Sequence, residues 1–328
     1  MGEFELIERF FKRPARRAVL GVGDDCALWQ PAPGMQLAIS SDMLVEGRHF
    51  LSTVDPARLG HKALAVNLSD LAASGAAPLA FTLALALPRA DEAWLGAFAQ
   101  GLLQLADAHG CELIGGDTTQ GPLNICITVL GEVPPGDALL RSNAQPGDDI
   151  YVSGTLGDAR LALDVFRGTQ SLYSEAFAQA RARLEQPTPR VALGVALRAI
   201  ANAAIDLSDG LLGDLGHILQ RSNVGAQIDT HWIQTPTLFH EQPAGVSPLL
   251  SHLPLTRRLD LALAGGDDYE LCFTAPVEQR ELVHAAAWET DTPICRIGRI
   301  TAEPGLRVLD AQGQPITRRF AAFDHFAA

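Results

Sequence analysis

The stretch Gly21-Val22-Gly23-Asp24-Asp25-Cys26-Ala27, followed by Ser40-Ser41-Asp42, constrains this chain more than any other. Two adjacent carboxylates between a turn-forming Gly-x-Gly and an apolar run are costly to bury without compensating cations, so they call for a metal or for solvent. The punctuation returns at Leu68-Ser69-Asp70, Gly115-Gly116-Asp117-Thr118, Asp206-Leu207-Ser208-Asp209-Gly210 and Gly265-Gly266-Asp267-Asp268. Each lies where an apolar, strand-like run gives way to a turn or a helix start. The set is expected to form one acidic, oxygen-rich site assembled from distant segments.

With 328 residues the chain has room for two ordinary domains and a sizeable core. An apolar fraction of 47% and a charged fraction of 19% describe a compact soluble protein with little disorder. The net charge of -13 argues against a nucleic-acid partner, which needs surplus Lys and Arg, yet an acidic enzyme still binds phosphates through bridging cations. The one basic run, Arg9, Lys12, Arg13, Arg16 and Arg17, reads as a solvated amphipathic helix and its exit loop. Scattered cysteines without Cys-x-x-Cys spacing suggest neither zinc nor a disulfide framework and point to a reducing, cytoplasmic setting. The start Met1-Gly-Glu-Phe-Glu lacks the apolar segment of a signal peptide. The longest apolar run, Leu79 to Leu87, is too short to span a bilayer, so no membrane partner is expected.

Residues 4–11 carry helical spacing, closed by Pro14, and Leu37 to Ile39 reads as a short strand delivering Ser40, Ser41 and Asp42 to its end. Pro56 opens a helix with Leu59, Ala63 and Val66 on one face, which Asn67-Leu-Ser-Asp70 interrupts or extends. Residues 79–87 and 124–133 are strand candidates, Asp91 caps an Ala/Leu-rich helix ended by Gly110, and Glu112 to Ile114 leads into Gly-Gly-Asp. The segments 134–137 and 146–149 mark a boundary between domains 1–145 and 146–328, with Asp148 and Asp149 serving a turn. Beyond it, Gly154-Thr155-Leu156-Gly157 turns from a strand into a helix at Asp158, a geometry that offers N–H groups to an anion. Residues 231–255, rich in Pro, His and Thr, read as a long surface insertion. Alternating strands and helices indicate an α/β or α+β architecture.

No P-loop, Gly-x-Ser-x-Gly or His-Glu-x-x-His pattern occurs, and Lys12 and Lys62 are the only lysines. Asp side chains at strand ends and helix starts suit Mg2+, which keeps waters and takes one or two carboxylates plus phosphate oxygens. The number of carboxylates predicts more than one ion. Taken alone, each of Asp70, Asp206 and Asp209 is equally a helix cap. For Asp25, Asp42 and Asp117 the adjoining glycines and hydroxyls favour close approach to a ligand. Arg141 divides evenly between a surface ion pair and a phosphate clamp, and His49 alone reads as a satisfied polar side chain. Glu270, a carboxylate in the apolar run Tyr-Glu-Leu-Cys-Phe, needs a partner.

Gly-Val-Gly-Asp-Asp-Cys-Ala, Ser-Asp-Met-Leu-Val-Glu-Gly-Arg-His-Phe, Asn-Leu-Ser-Asp-Leu-Ala-Ala-Ser-Gly-Ala, Gly-Gly-Asp-Thr, Asp-Leu-Ser-Asp-Gly-Leu, Gly-Gly-Asp-Asp-Tyr-Glu-Leu and the His-Phe tail together resemble the thiamine-monophosphate kinase family nearly end to end. Several of these motifs are shared with its superfamily of ATP-dependent synthetases. The resemblance implies a two-domain, aminoimidazole ribonucleotide synthetase-like α/β fold. Its N-terminal domain would bind ATP and metal and form a barrel-like interface in a homodimer. It also implies transfer of the ATP γ-phosphoryl group to thiamine monophosphate, giving thiamine diphosphate. Carried over by motif, Asp25, Asp42, Asp70, Asp117, Asp206 and Asp209 would be Mg2+ ligands, with Asp42, Asp209 and Arg141 central to catalysis. Ser40, Ser41, Gly116, Asp117, Arg141 and Ser208 would hold ATP and its metals, while His49, Glu270 and Phe323 would face thiamine monophosphate. Ser41 stands where Thr is common, and the resemblance assigns nothing to Asp24, Asp267, Asp268 or the segment 231–255. Two other readings stay open: a superfamily member that activates a carbonyl or selenide with ATP, and a non-catalytic, metal-dependent binding protein.

Overall fold

The computed structural model describes residues 2–235 and 237–320. Two units are distinguished: residues up to Leu71 with Ala76–Gly136, and Ala72–Gly75 with the chain from Asp137 onward. The division after Gly136 lies in the segment 134–137, ahead of the boundary expected at 145/146.

The first unit contains α1 (Glu3–Phe10), β1 (Gln36–Val45), most of α2 (Pro56–Ala73), β2 (Ala77–Leu87), α3 (Glu92–Ala108), β3 (Glu112–Gln120) and β4 (Asn124–Val133). Helix α2 starts where it does because the Asp55 carboxylate accepts from the N–H groups of Ala57 and Arg58 at 2.9 and 3.1 Å. Pro56 occupies the first position, where a missing N–H costs nothing. Asp91 caps α3 in the same way through Ala93 and Trp94. The sheet order is β1-β4-β2-β3, with β2 and β3 parallel and the other pairs antiparallel. Leu64, Leu68 and Leu71 of α2, Leu95, Phe98 and Leu102 of α3, and Phe81 and Leu85 of β2 are buried. Each such side chain contributes about 1.5–3 kcal/mol.

Strand β1 alternates half-buried Ala38, Ser40 and Asp42 with exposed Leu37, Ile39, Ser41 and Met43, the period of two that one covered and one open face impose. It runs for ten residues where the sequence suggested three. Ser40–Asp42 therefore lie in mid-strand, and Gly115–Asp117 likewise lie within β3. The hydroxyls and the carboxylate are tolerated there because β1 is an edge strand with one open face.

The second unit holds β5 (Asp149–Ser153), β6 (Thr155–Leu156), α4 (Asp158–Phe166), α5 (Ser174–Glu185), α6 (Val191–Ala196), β7 (Ala203–Asp206), α7 (Leu211–Ser222) and β8 (Gly225–Asp229). It continues with α8 (His231–Gln234), β9 (Thr237–Phe239), β10 (Gln242–Val246), α9 (Leu255–Ala264), β11 (Leu271–Ala275), α10 (Arg280–Glu289), β12 (Ile294–Thr301) and β13 (Gly305–Leu309). Its main sheet, ordered β13-β8-β12-β5-β11-β7, is antiparallel except for the β13–β8 pair. A small sheet, β6-β10-β9, takes in part of the segment read as a surface insertion. That reading is corrected: Trp232, Ile233, Phe239, Ala244, Val246 and Leu250 are buried, their apolar spacing hidden by the polar residues between them. No sheet closes into a barrel, and no helix is long and apolar enough to cross a membrane, among the described residues.

Candidate active site

In the first unit β1 and α2 meet through motif residues. Ser40 and Asp42 are two apart on a strand, and Asn67 and Asp70 three apart on a helix, so each pair shares a face. Ser40 Oγ donates to Asp70 Oδ2, and the Asp42 N–H donates to Asn67 Oδ1 at 3.1 Å. The Asn67 amide in turn donates to Ala63 O at 3.0 Å. Asn67-Leu-Ser-Asp70 thus extends the helix, and two carboxylates and a hydroxyl gather along one seam. Ser41 serves the opposite face, where its Oγ pairs with Thr128 Oγ1 at 3.0 Å and donates to Ile127 O at 3.1 Å. The two adjacent serines therefore lie on opposite faces of β1.

Across the sheet Asp42 aligns with Ile127, Leu83 and Gly116, while exposed Asp117 aligns with Ala84 in the next row. Gly116 has φ +145°, and a Cβ there would lie 1.9 Å from Leu83 O, so only glycine allows this approach of β3 to β2. Asp25 is exposed at the tip of the loop between the paired residues Leu20 and Leu28. Val22 of that loop lines a cavity of about 40 Å³ with Leu83 and residues 115–118, which brings the first motif to the Gly-Gly-Asp strand. His49 accepts the Val45 N–H at Nδ1, 3.0 Å away, and so closes the turn after β1.

The basic run is neutralised within the unit. Arg9 pairs with Glu92, Lys12 with Glu8, Arg13 and Arg16 with Asp107, and Arg17 with Glu132.

In the second unit the β7–β11 pairing continues past the strand ends. Leu207 N–H donates to Glu270 O at 2.8 Å, Tyr269 N–H to Leu207 O at 2.9 Å, and Asp267 N–H to Ser208 O at 2.8 Å. The motifs Asp206-Leu-Ser-Asp-Gly210 and Gly265-Gly-Asp-Asp-Tyr-Glu270 thereby form one corner. Asp206 is buried, and Ser208 and Asp209 are half-buried. Asp214 Oδ2 accepts the N–H groups of Asp209 and Gly210 at 3.0 and 3.1 Å. Burial pushes the Asp214 carboxyl up to about 7, and Arg141 stands close enough to oppose that shift. Exposed Arg141 is anchored through its carbonyl, which accepts from Ser222 Oγ at 2.9 Å.

Glu270 is the residue expected to face the acceptor. Its carboxylate is wholly buried and accepts from Ser153 Oγ at 2.6 Å, Arg183 Nη2 at 2.6 Å, and Arg190 Nε and Nη2 at 2.6 and 2.7 Å. Burial alone would raise its pKa, but Arg190 and Arg183 override burial and hold the carboxyl below its usual range. The N–H turn at Gly157 is likewise filled from within, because Gly157 donates to both oxygens of buried Asp268 at 3.2 and 3.0 Å. Asp149 is a buried anchor rather than a turn residue, whereas Asp148, also buried, closes the turn from Gln145: its N–H donates to Gln145 O at 3.0 Å and its carboxylate accepts the Gln145 N–H at 2.9 Å. Asp148 accepts from Asn202 and Thr274, and Asp149 from Arg280 and Arg296.

Asp267, which the sequence left unassigned, is a second half-buried carboxylate of this corner beside Asp209, held at φ +68° next to Ser208. Non-glycine residues in that region mark strained backbone, and the tandem Gly-Gly-Asp-Asp was its sequence signal. Phe323 lies outside the described residues.

Among the described residues no three His, Cys, Asp or Glu side chains converge on one point. The donors along the β1–α2 seam are all oxygen. They fit Mg2+, which needs only one or two carboxylates when phosphate oxygens complete its shell.

Residues 23–133 match the family pattern described as AIR synthase related protein, N-terminal domain, and residues 145–311 match its C-terminal counterpart. The chain is 45% identical to thiamine-monophosphate kinase of Salmonella typhimurium over 99% of its own length and 98% of that protein's. A crystal structure of thiamine-monophosphate kinase from Stenotrophomonas maltophilia is 47% identical, with a TM-score of 0.82 over 93% of this chain and 94% of that one. A further solved structure, AaThiL complexed with AMPPCP and TMP, is 29% identical, with a TM-score of 0.74 over 90% and 89% of the two chains. Two AIR synthase related domains and similarity that runs from end to end place this chain in the thiamine-monophosphate kinase family.

Proposed function

We infer that the chain transfers the γ-phosphoryl group of ATP to thiamine monophosphate, giving thiamine diphosphate and ADP. The observation that carries this reading is the 45% identity to a thiamine-monophosphate kinase over 99% of the chain. Incubation of the purified protein with Mg-ATP and thiamine monophosphate should yield thiamine diphosphate, and no such product would refute it.

The chemistry asks for charge control rather than a strong base. A phosphate oxygen of thiamine monophosphate, already ionised at neutral pH, forms the new O–P bond. The bond from the γ-phosphorus to the β–γ bridging oxygen breaks, and ADP leaves with that electron pair. Positioning two polyanions is the barrier. Asp25, Asp42, Asp70, Asp117, Asp206 and Asp209 would hold Mg2+, which when bound neutralises phosphate oxygens and orients them. Ser40 fixes the Asp70 carboxylate, and Gly116, where only glycine allows the close β2–β3 approach, would assist ATP. Ser208 offers a hydroxyl to ATP, and Arg141 supplies a fixed positive charge aimed at the anionic transition state. Asp214 holds the Asp209 and Gly210 amides in place. Ser41 ties β1 to β4, and His49 acts on the acceptor through the turn it closes.

The open apolar face of the first unit's sheet supports a homodimer joined through that face in a barrel-like interface. Domains 1–145 and 146–328 would then bear the dimer contact with the first metal-ligating group and the Asp206–Asp209 corner, respectively. A cytoplasmic location follows from the substrates ATP and thiamine monophosphate, and cell fractionation tests it.

A further inference from the structure

Glu112, at the start of β3, is a half-buried carboxylate outside every motif, and it holds the chain that leads into the Asp25 loop. The arms of that loop pair through Val19 N–H and Leu20 N–H, which donate to Leu28 O at 2.8 and 3.2 Å, and through Leu28 N–H, which donates to Leu20 O at 2.9 Å. At its base Ala18, Ala27 and Trp29 pack on buried Leu79, Ala80 and Ile114 of β2 and β3. Just ahead of the first arm the Glu112 carboxylate accepts three consecutive N–H groups, those of Arg16, Arg17 and Ala18, the last two at 3.1 Å each. Burial works to raise the Glu112 pKa, yet these N–H groups outweigh it and keep the carboxyl below its usual range. Successive N–H groups that converge on one point cradle an anion, and here the anion is a side chain of the protein itself.

Strand β3 carries Gly116 and Asp117 as well as Glu112, so the clamp ties two motifs to one rigid element. The arm and its loop meet β3 twice, at Glu112 and, through Val22, at the small cavity lined by Leu113 and residues 115–118. Fixing the arm at the first contact sets where the loop tip stands at the second, and small displacements of a charged group are enough to slow a positioned reaction. We propose that Glu112 is a positioning residue for phosphoryl transfer, locking the chain at residues 16–18 so that Asp25 is held in register with the Gly-Gly-Asp strand. The proposal rests on the kinase reading above and on Asp25 as a Mg2+ ligand, and deepens it by adding a residue that acts through Asp25. A cavity of about 250 Å³, lined by Arg16, Arg17, Cys111 and Glu112 among others, opens beside the clamp. A small anion from solvent therefore has a route to the N–H groups once the Glu112 side chain is shortened.

Steady-state kinetics and thermal unfolding of the full chain test this. Glu112→Ala should raise the Mg2+ concentration for half-maximal turnover about threefold to tenfold, the loss of roughly one hydrogen-bonded anchor, with KM for thiamine monophosphate unchanged. The rise in thermal midpoint that Mg-ATP gives should shrink in the same variant. Acetate should restore the Mg2+ requirement of Glu112→Ala and leave wild type unmoved, because it refills the vacated cradle. Glu112→Gln keeps one acceptor oxygen and should fall between wild type and Glu112→Ala. In an Asp25→Asn background the Ala substitution should add nothing, since its effect passes through Asp25. Wild-type protein that forms no thiamine diphosphate would overturn the kinase reading and this role with it. Wild-type protein that forms it, with both Glu112 variants at the wild-type Mg2+ requirement, would overturn the role alone. Effects that add fully to those of Asp25→Asn, or a lowered midpoint with both KM values raised and no rescue by acetate, would show a structural contact only and would also overturn it.

Discussion

Asp42 and Glu270 are both carboxylates of strand-like segments, and their surroundings give them different tasks. Asp42 is half-buried beside Asn67 and the Ser40–Asp70 pair, so its loss removes charge from a site while the core stays intact. Asp42→Asn should lower kcat by about 100-fold or more, comparable to losing a preorganised charge contact, with a thermal midpoint equal to or above wild type. Near-normal turnover in that variant would move the metal site elsewhere. Glu270 faces Arg183 and Arg190, whose side chains keep only 21% and 15% of their exposure. Glu270→Gln leaves those guanidinium groups uncompensated and should cost about 3 kcal/mol in urea unfolding at pH 7. The sign with pH follows from the lowered pKa: stability from this carboxyl is complete above its unfolded value, near 4.5, and is lost as pH falls through the folded value. Wild type should therefore weaken below about pH 4.5 while Glu270→Gln shows a shallower acid limb, and parallel acid limbs would count against the assignment.

At the scale of elements, the loop 206–210 is held by the first turn of α7. Asp214→Ala removes two hydrogen bonds to that loop, each contributing about 1 kcal/mol, and should lower kcat about tenfold by loosening Asp209. Asp214→Asn keeps an acceptor oxygen and should restore most of that loss. A Mg2+ titration of turnover distinguishes a positioning role from general destabilisation, since only the former raises the Mg2+ requirement in the Ala variant and corrects it in the Asn variant. The same elements show what a sequence reveals and what it hides. The bounds of β4 and α4 were readable because apolar alternation and a turn glycine define them locally. Strand β1 was read short because Ser40, Ser41 and Asp42 interrupt its apolar pattern, and α5 was missed because its few apolar residues are diluted by Arg, Gln and Glu. The Asp motifs announced a site, and the Ser40–Asp70 and Asp206–Asp267 corners gathered some of them. The partners of Glu270 stayed hidden because Arg183 and Arg190 lie 87 and 80 residues away, and no local rule connects them.

For the molecule as a whole, the uncovered face of the four-stranded sheet sets the strongest demand. Leu37, Ile39 and Met43 on edge strand β1 are 41, 62 and 52% exposed. Ile39 aligns with Leu130, and Met43 with Cys126 and Ala84, so the apolar strip continues across three strands. An apolar face broken by the Ser41–Thr128 row, next to an unpaired strand edge, is an interaction surface and a liability if left bare. A second copy of the chain satisfies it most simply, because a two-fold axis places one such face on another, and a stable dimer buries about 1,600 Å² in total. Light scattering at micromolar concentration should therefore give twice the chain mass. The double variant Ile39→Lys, Met43→Lys should give the single mass with the far-UV circular dichroism of the fold retained, since both side chains project away from the core. Wild-type protein that scatters as a monomer while making thiamine diphosphate would remove the dimer from the proposal. A double variant that stays dimeric would place the interface on some surface other than this sheet.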